Sequence, residues 1–510
     1  MLKAIKTAAV IAAILLSAMA AGAVDTAHAA GYRDKYPLPG LAVPDGWGVN
    51  IHSAGMSVPE IDLIANGGFS WVRMDFTWAE IERVKGKYNF MDYDRLLNIL
   101  KGRSMRLLAI LDYGNDLYGG GAPRTPEARE AFAKFAAAAV DHFRGKGVVW
   151  EMWNEPNIPQ FWQPQSNVEE YIALATAVGK AIRATAPDEW YVGPATSTFD
   201  YAFLEACFKG GLLQYWDAVT VHPYRPSNPE TVAPDWARLR QLIHQYAPTK
   251  NMPMISGEWG YSDVWEGMNL ELQTRYILRQ YLVNLASGVG MSIWYDWKDD
   301  GADRKNPEHH FGAVTIYLNP KTTYLAAKLL AQKLQGKSYV MRLAQADSAD
   351  WVLVFSGHSG VAAVGWTTTI PQAGKPSPKI DNMPQLLDKR VVPTAVLVRA
   401  GKFAGIPLYA TIVSEKDAAD LLAPLVAKLG AKEKLLVYDW AAGETADRGP
   451  RTAVPITLKL TDKPRLRSLC VSLARTPAGE RTWRVVLVSP GIVDIAQECA
   501  VTRAAAPGPR

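Results

Sequence analysis

Val148-Val149-Trp150-Glu151-Met152-Trp153-Asn154-Glu155-Pro156-Asn157 is the stretch on which the fold turns. Its β-branched and aromatic run reads as a strand covered on both faces, the pattern of a parallel sheet. Pro156 cannot continue a strand ladder, so the run stops with a carboxylate at its end. We place this strand over Val148 to Asn154, and seven more runs of the same kind follow on either side. They are Trp47 to His52, Trp71 to Phe76, Arg106 to Asp112, Trp190 to Ala195, Ala218 to Tyr224, Met254 to Trp259 and Met291 to Trp297. Between them lie stretches of helical period, among them Tyr93 to Gly102, Thr125 to Arg144, Val168 to Ala186, Trp236 to Tyr246 and Leu270 to Ala286. Thr125-Pro126-Glu127 puts proline at a first helical position and an acid in the first turn, where the backbone amides favour it. Strict alternation of strand and helix demands parallel strands joined by right-handed crossovers, and eight pairs in about 290 residues match a (β/α)8 barrel. A doubly wound sheet would need a glycine-rich phosphate turn after an early strand, and none is present.

A parallel barrel opens the C-terminal ends of all its strands onto one face, where chemistry collects. Those ends carry His52, Arg73 with Asp75, Asp112, Asn154-Glu155, His222 with Tyr224, Glu258-Trp259, and Trp294 with Trp297. The opposite ends show no such cluster. Glu155 and Glu258 follow the fourth and seventh strands, which face each other across a closed eight-stranded barrel. Two carboxyls about 5 to 5.5 Å apart suit hydrolysis of a glycosidic bond with retention, one as nucleophile and the other as acid then base. The acid needs apolar burial to keep its proton and the nucleophile needs donors. Trp153 and Pro156 offer the first surroundings, and Arg73, His222 and Tyr224 the second. Glu151, in mid-strand, reads as a structural partner of a neighbouring barrel strand. The rings of Trp153, Trp162, Trp259, Trp265, Trp294 and Trp297 read as sugar-stacking surfaces. Asp296, Asp299, Asp300 and Asp303 read as a solvated loop, since they lack the glycine-spaced ligand positions of a calcium loop.

Trp153-Asn154-Glu155-Pro156 on a fourth strand and Gly257-Glu258-Trp259 on a seventh together resemble the clan of retaining glycoside hydrolases built on (β/α)8 barrels, clan A. The Gly48 to His52 start, Arg73 and His222-Pro223-Tyr224 are most similar to family 39 and its endoglycosidase relatives, with family 5 close behind. The resemblance covers roughly residues 45 to 335. It implies Glu155 as acid/base, Glu258 as nucleophile, Asn154 on the substrate 2-hydroxyl, Tyr224 and Arg73 orienting the nucleophile, and Trp294 or Trp297 as an aromatic floor. His52, Asp112, Trp153, His222 and Trp259 complete the candidate substrate-binding set. The chemistry calls for no cofactor and no metal.

The chain has 510 residues, too many for one core, with 48% hydrophobic and 21% charged residues. A net charge of +5 without Lys/Arg runs excludes nucleic acid as the partner. Three cysteines, Cys207, Cys470 and Cys499, allow at most one bridge, between the last two. Residues 1–29 read as a cleaved signal peptide: Lys3 and Lys6, then an apolar run from Ala8 to Met19, then Ala27-His28-Ala29. We therefore expect a secreted or periplasmic protein with no membrane span after cleavage. An N-terminal extension (30–44), the barrel (45–336) and a β-rich, β-sandwich-like accessory domain (337–510) follow. The last has strands at Trp351 to Ser356, Val361 to Thr367 and Trp483 to Val488, and one helix, Ala418 to Leu429, capped from Ser414. Residues 341–510 hold 22 Lys/Arg against 15 Asp/Glu, so this domain is basic: a support for the barrel, or a holder of an anionic polymer. The leading reading is a monomeric secreted glycosidase acting on β-linked poly- or oligosaccharide, cutting within chains. The alternative is a non-catalytic polysaccharide-binding protein on the same scaffold. A metal-dependent barrel hydrolase would carry His-x-His on its first strand, which Asn50-Ile51-His52-Ser53 lacks.

Overall fold

All eight barrel strands form, and they close on themselves in chain order. They are β1 (Trp47–Asn50), β2 (Trp71–Thr77), β3 (Arg106–Asp112), β4 (Val149–Met152), β5 (Trp190–Ser197), β6 (Ala218–His222), β7 (Met254–Trp259) and β8 (Met291–Trp294). Every neighbouring pair is parallel, and β8 returns to β1 with Val49 beside Trp294. This computed structural model describes residues 32–343, 348–357, 360–369 and 382–386, and the strand segments 402–403, 406–407, 433–440, 452–455, 468–475 and 481–488.

The helices between strands begin where the sequence supplies a side-chain acceptor. Ser57 caps Val58–Asn66 through the amide of Glu60, and Thr125 caps Pro126–His142 through that of Ala128. Asn167 caps Val168–Thr185 and Asn269 caps Leu270–Ala286 in the same way. Each cap satisfies an amide that the helix leaves unpaired, worth about 1 kcal/mol. Inside the barrel, Trp71, Leu108, Val149, Val192, Ala218, Ile255, Met291 and Ile293 form a buried apolar layer, and Leu38 of the N-terminal extension packs against it. Gly48 supplies no side chain to this layer, because a Cβ there would lie 2.5 Å from Ile293 Cδ1 and 2.7 Å from Trp71 Cβ. The N-terminal mouth is thus filled with hydrocarbon, and polar chemistry is left the other end.

Four strands end earlier than their sequence runs suggest: β1 at Asn50, β4 at Met152, β6 at His222 and β8 at Trp294. At β4 the cause is visible in the backbone, since Trp153 (φ 67°) and Glu155 (φ 44°) turn left-handed and leave the ladder.

The described residues divide into two compact units between Ala331 and Gln332. The second is β-rich. β9 (Ser338–Leu343), β10 (Asp350–Gly357), β11 (Gly360–Thr367) and β12 (Gln385–Leu386) make an antiparallel sheet in the order β12-β11-β10-β9. A short pair, β13 (Lys402–Phe403) and β14 (Ile406–Pro407), follows. β15 (Glu433–Trp440), β16 (Thr452–Pro455), β17 (Ser468–Arg475) and β18 (Arg481–Val488) make a mixed sheet in which β15 and β18 run parallel. The expected helix at Ala418 to Leu429, the signal segment and Cys499 lie outside the described residues. Among the described residues no helix is long and apolar enough to cross a membrane.

Leu108 is fully buried in the barrel layer. Leu108→Ala is expected to cost about 2–5 kcal/mol, read as a lowered urea midpoint with unchanged slope. A loss under about 1 kcal/mol would contradict the packing described.

Candidate active site

Arg73, on β2, is 1% exposed at the centre of the C-terminal mouth. A guanidinium has five N–H donors in a fixed fork, and all five are engaged. Nε donates to Glu151 Oε2 (2.6 Å). One terminal nitrogen donates to Asn50 Oδ1 (3.1 Å) and Glu258 Oε2 (2.6 Å). The other donates to Asn154 Oδ1 (2.9 Å) and reaches His222 Nε2 (3.2 Å). Arg73 thus ties together β1, β4, β6 and β7. Glu151 takes the structural part the sequence assigns it, although its partner strand, β2, is not its neighbour in the barrel wall.

The Arg73 contact decides the protonation of His222. Arginine can only donate, so Nε2 of His222 is the acceptor and the ring proton sits on Nδ1, which donates to Glu155 Oε1 (2.9 Å). Burial, reinforced by the charge on Arg73, lowers the pKa of His222 to about 4, so the ring is neutral. The sequence reading groups His222 with Glu258; the structure assigns it instead to Glu155.

The two candidate carboxyls sit in different surroundings. Glu155 is 7% exposed, and burial raises its pKa to about 7, against the opposing pull of Arg73 and Ser197. Glu258 accepts from Arg73 on Oε2 and from the Tyr224 hydroxyl on Oε1 (2.8 Å). Burial and the charge of Glu258 hold the Tyr224 phenol well above its usual range, which keeps it a donor. An oxygen of Glu155, an oxygen of Glu258 and a ring nitrogen of His222 all lie within 4.8 Å of one another. The backbone is shaped for this convergence. The pairing of β7 with β8 shifts register between Ser256 and Trp259, which frees Gly257-Glu258 from the ladder. A Cβ at Gly257 would lie 2.8 Å from Glu151 Oε1. Just beyond β4, the Glu155 amide donates to Ala195 O (2.9 Å), anchoring the left-handed turn to β5.

Above these groups is a cavity of about 470 Å³. Of the sequence candidates, His52, Arg73, Asn154, Glu155, Tyr224 and Glu258 line it. His52 is bound through Nε2 to Asp296 Oδ2 (3.1 Å), and although burial opposes it, Asp296 raises the His52 pKa to about 9. Trp153, Trp259, Trp294 and Trp297 are at most 2% exposed and lie behind the wall rather than on it. Their indoles are spent on structure: Trp153 Nε1 donates to Phe161 O, Trp294 Nε1 to Phe311 O and Trp297 Nε1 to Glu60 Oε1. The expected floor of Trp294 or Trp297 is therefore corrected, and the aromatic rings lining the cavity beside Tyr224 are Tyr113, Phe161, Trp265, Tyr295 and Phe311. They form two groups, Tyr113 stacked on Phe161 and Phe311 edge-on to both Tyr295 and Trp265. Asp112 is likewise fully buried and off the lining, and its neighbour Asp75 lines the cavity instead. The acidic loop is also not uniformly solvated, since Asp296 (1% exposed) binds His52 and Asp299 (7%) binds Lys321.

Sequence reading missed Asn50, Ser197 and Glu308 on the lining. Asn50 had a signal, because Arg73 is its register partner and both face inward. Glu308 comes from a long loop and had none.

A parallel eight-stranded barrel with two glutamates converging at its C-terminal mouth defines a clan A glycoside hydrolase. Residues 34–301 match the model of the cellulase family, glycosyl hydrolase family 5, and the chain belongs to that family. It is similar to a β-xylosidase of Geobacillus stearothermophilus, 23% identical over 297 residues, covering 49% of this chain and 58% of that enzyme. The chain thus matches little more than half the length of that relative. Among solved structures, it is similar in fold to a family 39 glycoside hydrolase of Bacteroides cellulosilyticus WH2, with 24% identity, a TM-score of 0.57, and 68% and 79% of the two chains covered. A family 39 β-xylosidase of Caulobacter crescentus has 22% identity and a TM-score of 0.52, with 66% and 80% covered. The likeness to family 39 read from the motifs therefore stands beside a family 5 match.

Arg73→Met would leave Glu151 charged, buried and unpaired, at a cost of about 3–5 kcal/mol. Chemical denaturation reads this directly, and a loss of under about 1 kcal/mol would mean that Arg73 does not organise the site.

Proposed function

We propose that the chain is a secreted glycosidase that cleaves β-linked oligo- or polysaccharide with retention, Glu258 acting as nucleophile and Glu155 as acid and then base. The observation that carries this reading is the approach of the two carboxyls to within 4.8 Å, which suits direct attack and is tight for a water held between them. Glu258 attacks the anomeric carbon while Glu155 passes its proton to the departing glycosidic oxygen. That attack neutralises Glu258, and the proton on Glu155 becomes easier to lose. Glu155 then takes a proton from water, whose oxygen displaces Glu258 from the sugar. Arg73 and Tyr224 hold the attacking carboxylate, and the His222 Nδ1–H orients Glu155.

β-Xylosides are the first substrates to test, on the strength of the named relatives. Cutting within chains is the mode of action we propose, as the sequence reading has it. Product sizing by mass spectrometry tests this. Secretion rests on Lys3, Lys6 and Ala27-His28-Ala29, and N-terminal sequencing of the exported chain tests it.

Glu258→Ala is expected to abolish turnover of every glycoside. Glu155→Ala is expected to lose about 10²–10⁴-fold on substrates with poor leaving groups, and azide should then yield a glycosyl azide of retained configuration. Full activity in either variant would sink the assignment, and binding without product in the wild type would favour the polysaccharide-binding alternative.

With the Glu155 pKa at about 7, kcat/KM should fall as pH rises through that value, because only the protonated acid can donate. Glu155→Gln should lose this alkaline limb, so a limb that persists in the variant would place the titration elsewhere.

A further inference from the structure

Asp112 ends β3 with both carboxyl oxygens buried and with no N–H or hydroxyl donating to either. A charged group cannot rest there cheaply, and the group set against it is another carboxyl, that of Asp75 on β2. Asp75 is partly exposed and lines the cavity two residues along the strand from Arg73, about 7 Å nearer its mouth. Of the two carboxyls, Asp112 is the sealed one, and burial penalises the charged form. Burial first, and then the Asp75 charge, push the Asp112 carboxyl well above the usual carboxylate range. A protonated Asp112 has an O–H to give and Asp75 an oxygen to take it, which would leave the other Asp75 lone pairs to the cavity.

The rest of the lining sets the charge that such an acceptor can meet. Asp75, Glu155, Glu258 and Glu308 all contribute carboxyls to it, and its cations are Arg73 and His52. Every N–H of Arg73 is already taken by Glu151, Asn50, Glu258, Asn154 and His222. His52 is paired with Asp296, and Asp300 converges on the same point. Each lining cation thus already faces a carboxylate, and the carboxyls outnumber the cations among the lining residues, while Asp75 stands ready to accept from a hydroxyl.

We propose that Asp75, positioned by Asp112, is the specificity-determining anchor of this pocket: it accepts a hydroxyl of an uncharged sugar and repels uronic acids. This rests on the glycosidase reading and names the substrate class of that site.

The test compares kcat/KM of the full chain on aryl β-xyloside, aryl β-glucoside and aryl β-glucuronide. The wild type should hydrolyse at least one neutral glycoside and be at least about a hundred-fold slower on the glucuronide, the penalty of an unpaired like charge. Asp75→Asn should lose about ten-fold or more on the neutral substrate and narrow the gap to the glucuronide, since the amide no longer repels it. Asp112→Leu should reproduce the loss of Asp75→Asn, whereas Asp112→Asn, whose amide N–H replaces the carboxyl O–H, should restore most of it. A purely structural Asp112 would show no such rescue and no change in the neutral-to-glucuronide ratio. An active wild type whose Asp75→Asn variant keeps its kcat/KM and its ratio would overturn this inference alone. A glucuronide cleaved as readily as the neutral glycosides would also overturn it. A folded wild type that cleaves none of the three, nor any polysaccharide offered, would undo the glycosidase reading and this inference with it.

Discussion

One buried guanidinium holds the catalytic mouth of this barrel together. Arg73 is 1% exposed, and a charge so placed is costly unless each of its donors is met. Meeting them fixes much else. Glu151 and Glu258 are drawn to it as counter-charges, Asn50 and Asn154 present their amide oxygens to it, and His222 must face it with a bare nitrogen. That last constraint sends the imidazole proton to Nδ1 and so toward Glu155. A single donor fork thereby gives the two candidate carboxyls unequal company: a positive charge and a phenol for Glu258, a neutral imidazole and apolar burial for Glu155. Unequal environments are what acid and nucleophile roles require of two identical side chains.

The backbone bears a cost for this arrangement. Left-handed conformations at Trp153 and Glu155 are unfavourable by about 1–3 kcal/mol each for residues with a Cβ. They persist because the surrounding contacts over-determine them: the Glu155 amide is held by Ala195 O, and the Trp153 indole by Phe161 O. The large indoles behind the cavity serve the same end. Trp153, Trp259, Trp294 and Trp297 give the wall its rigidity, and their burial leaves the cavity surface to the smaller rings of Tyr113, Phe161, Tyr295 and Phe311 and to Trp265.

The barrel was legible in the chain because its signals are local. A strand covered on both faces is a continuous apolar run, a helix start is a cap, and their alternation leaves one closed topology. The positions of Glu155 and Glu258 followed from that topology, since each ends its strand, and the motifs around them carried the family. Trp153, Trp162, Trp259, Trp294 and Trp297 failed for a physical reason: a large ring near a strand end has equal claim to the core and to the cavity, and local sequence does not say which side of the wall it takes. Glu308 and Phe311 arrive on loops whose path is set by what they pack against, whereas Trp265, read from the sequence as a stacking ring, does line the cavity. Asp75 and Asp112, two positions apart in register on adjacent strands, look alike as residues, yet one faces the cavity and the other is sealed behind it.

The sequence by itself determined the alternation of elements, the closure of the barrel and the strand ends that hold the two glutamates, because periodicity, capping and chain connectivity act over short spans. Only the tertiary structure decided which oxygen meets which donor. The partners of Arg73, the tautomer of His222, the protonation of Asp112 and the rings that face the substrate space depend on atoms brought together from strands far apart in the chain. At those distances hydrogen bonds and desolvation are settled by tenths of an ångström, a scale that residue order alone does not encode.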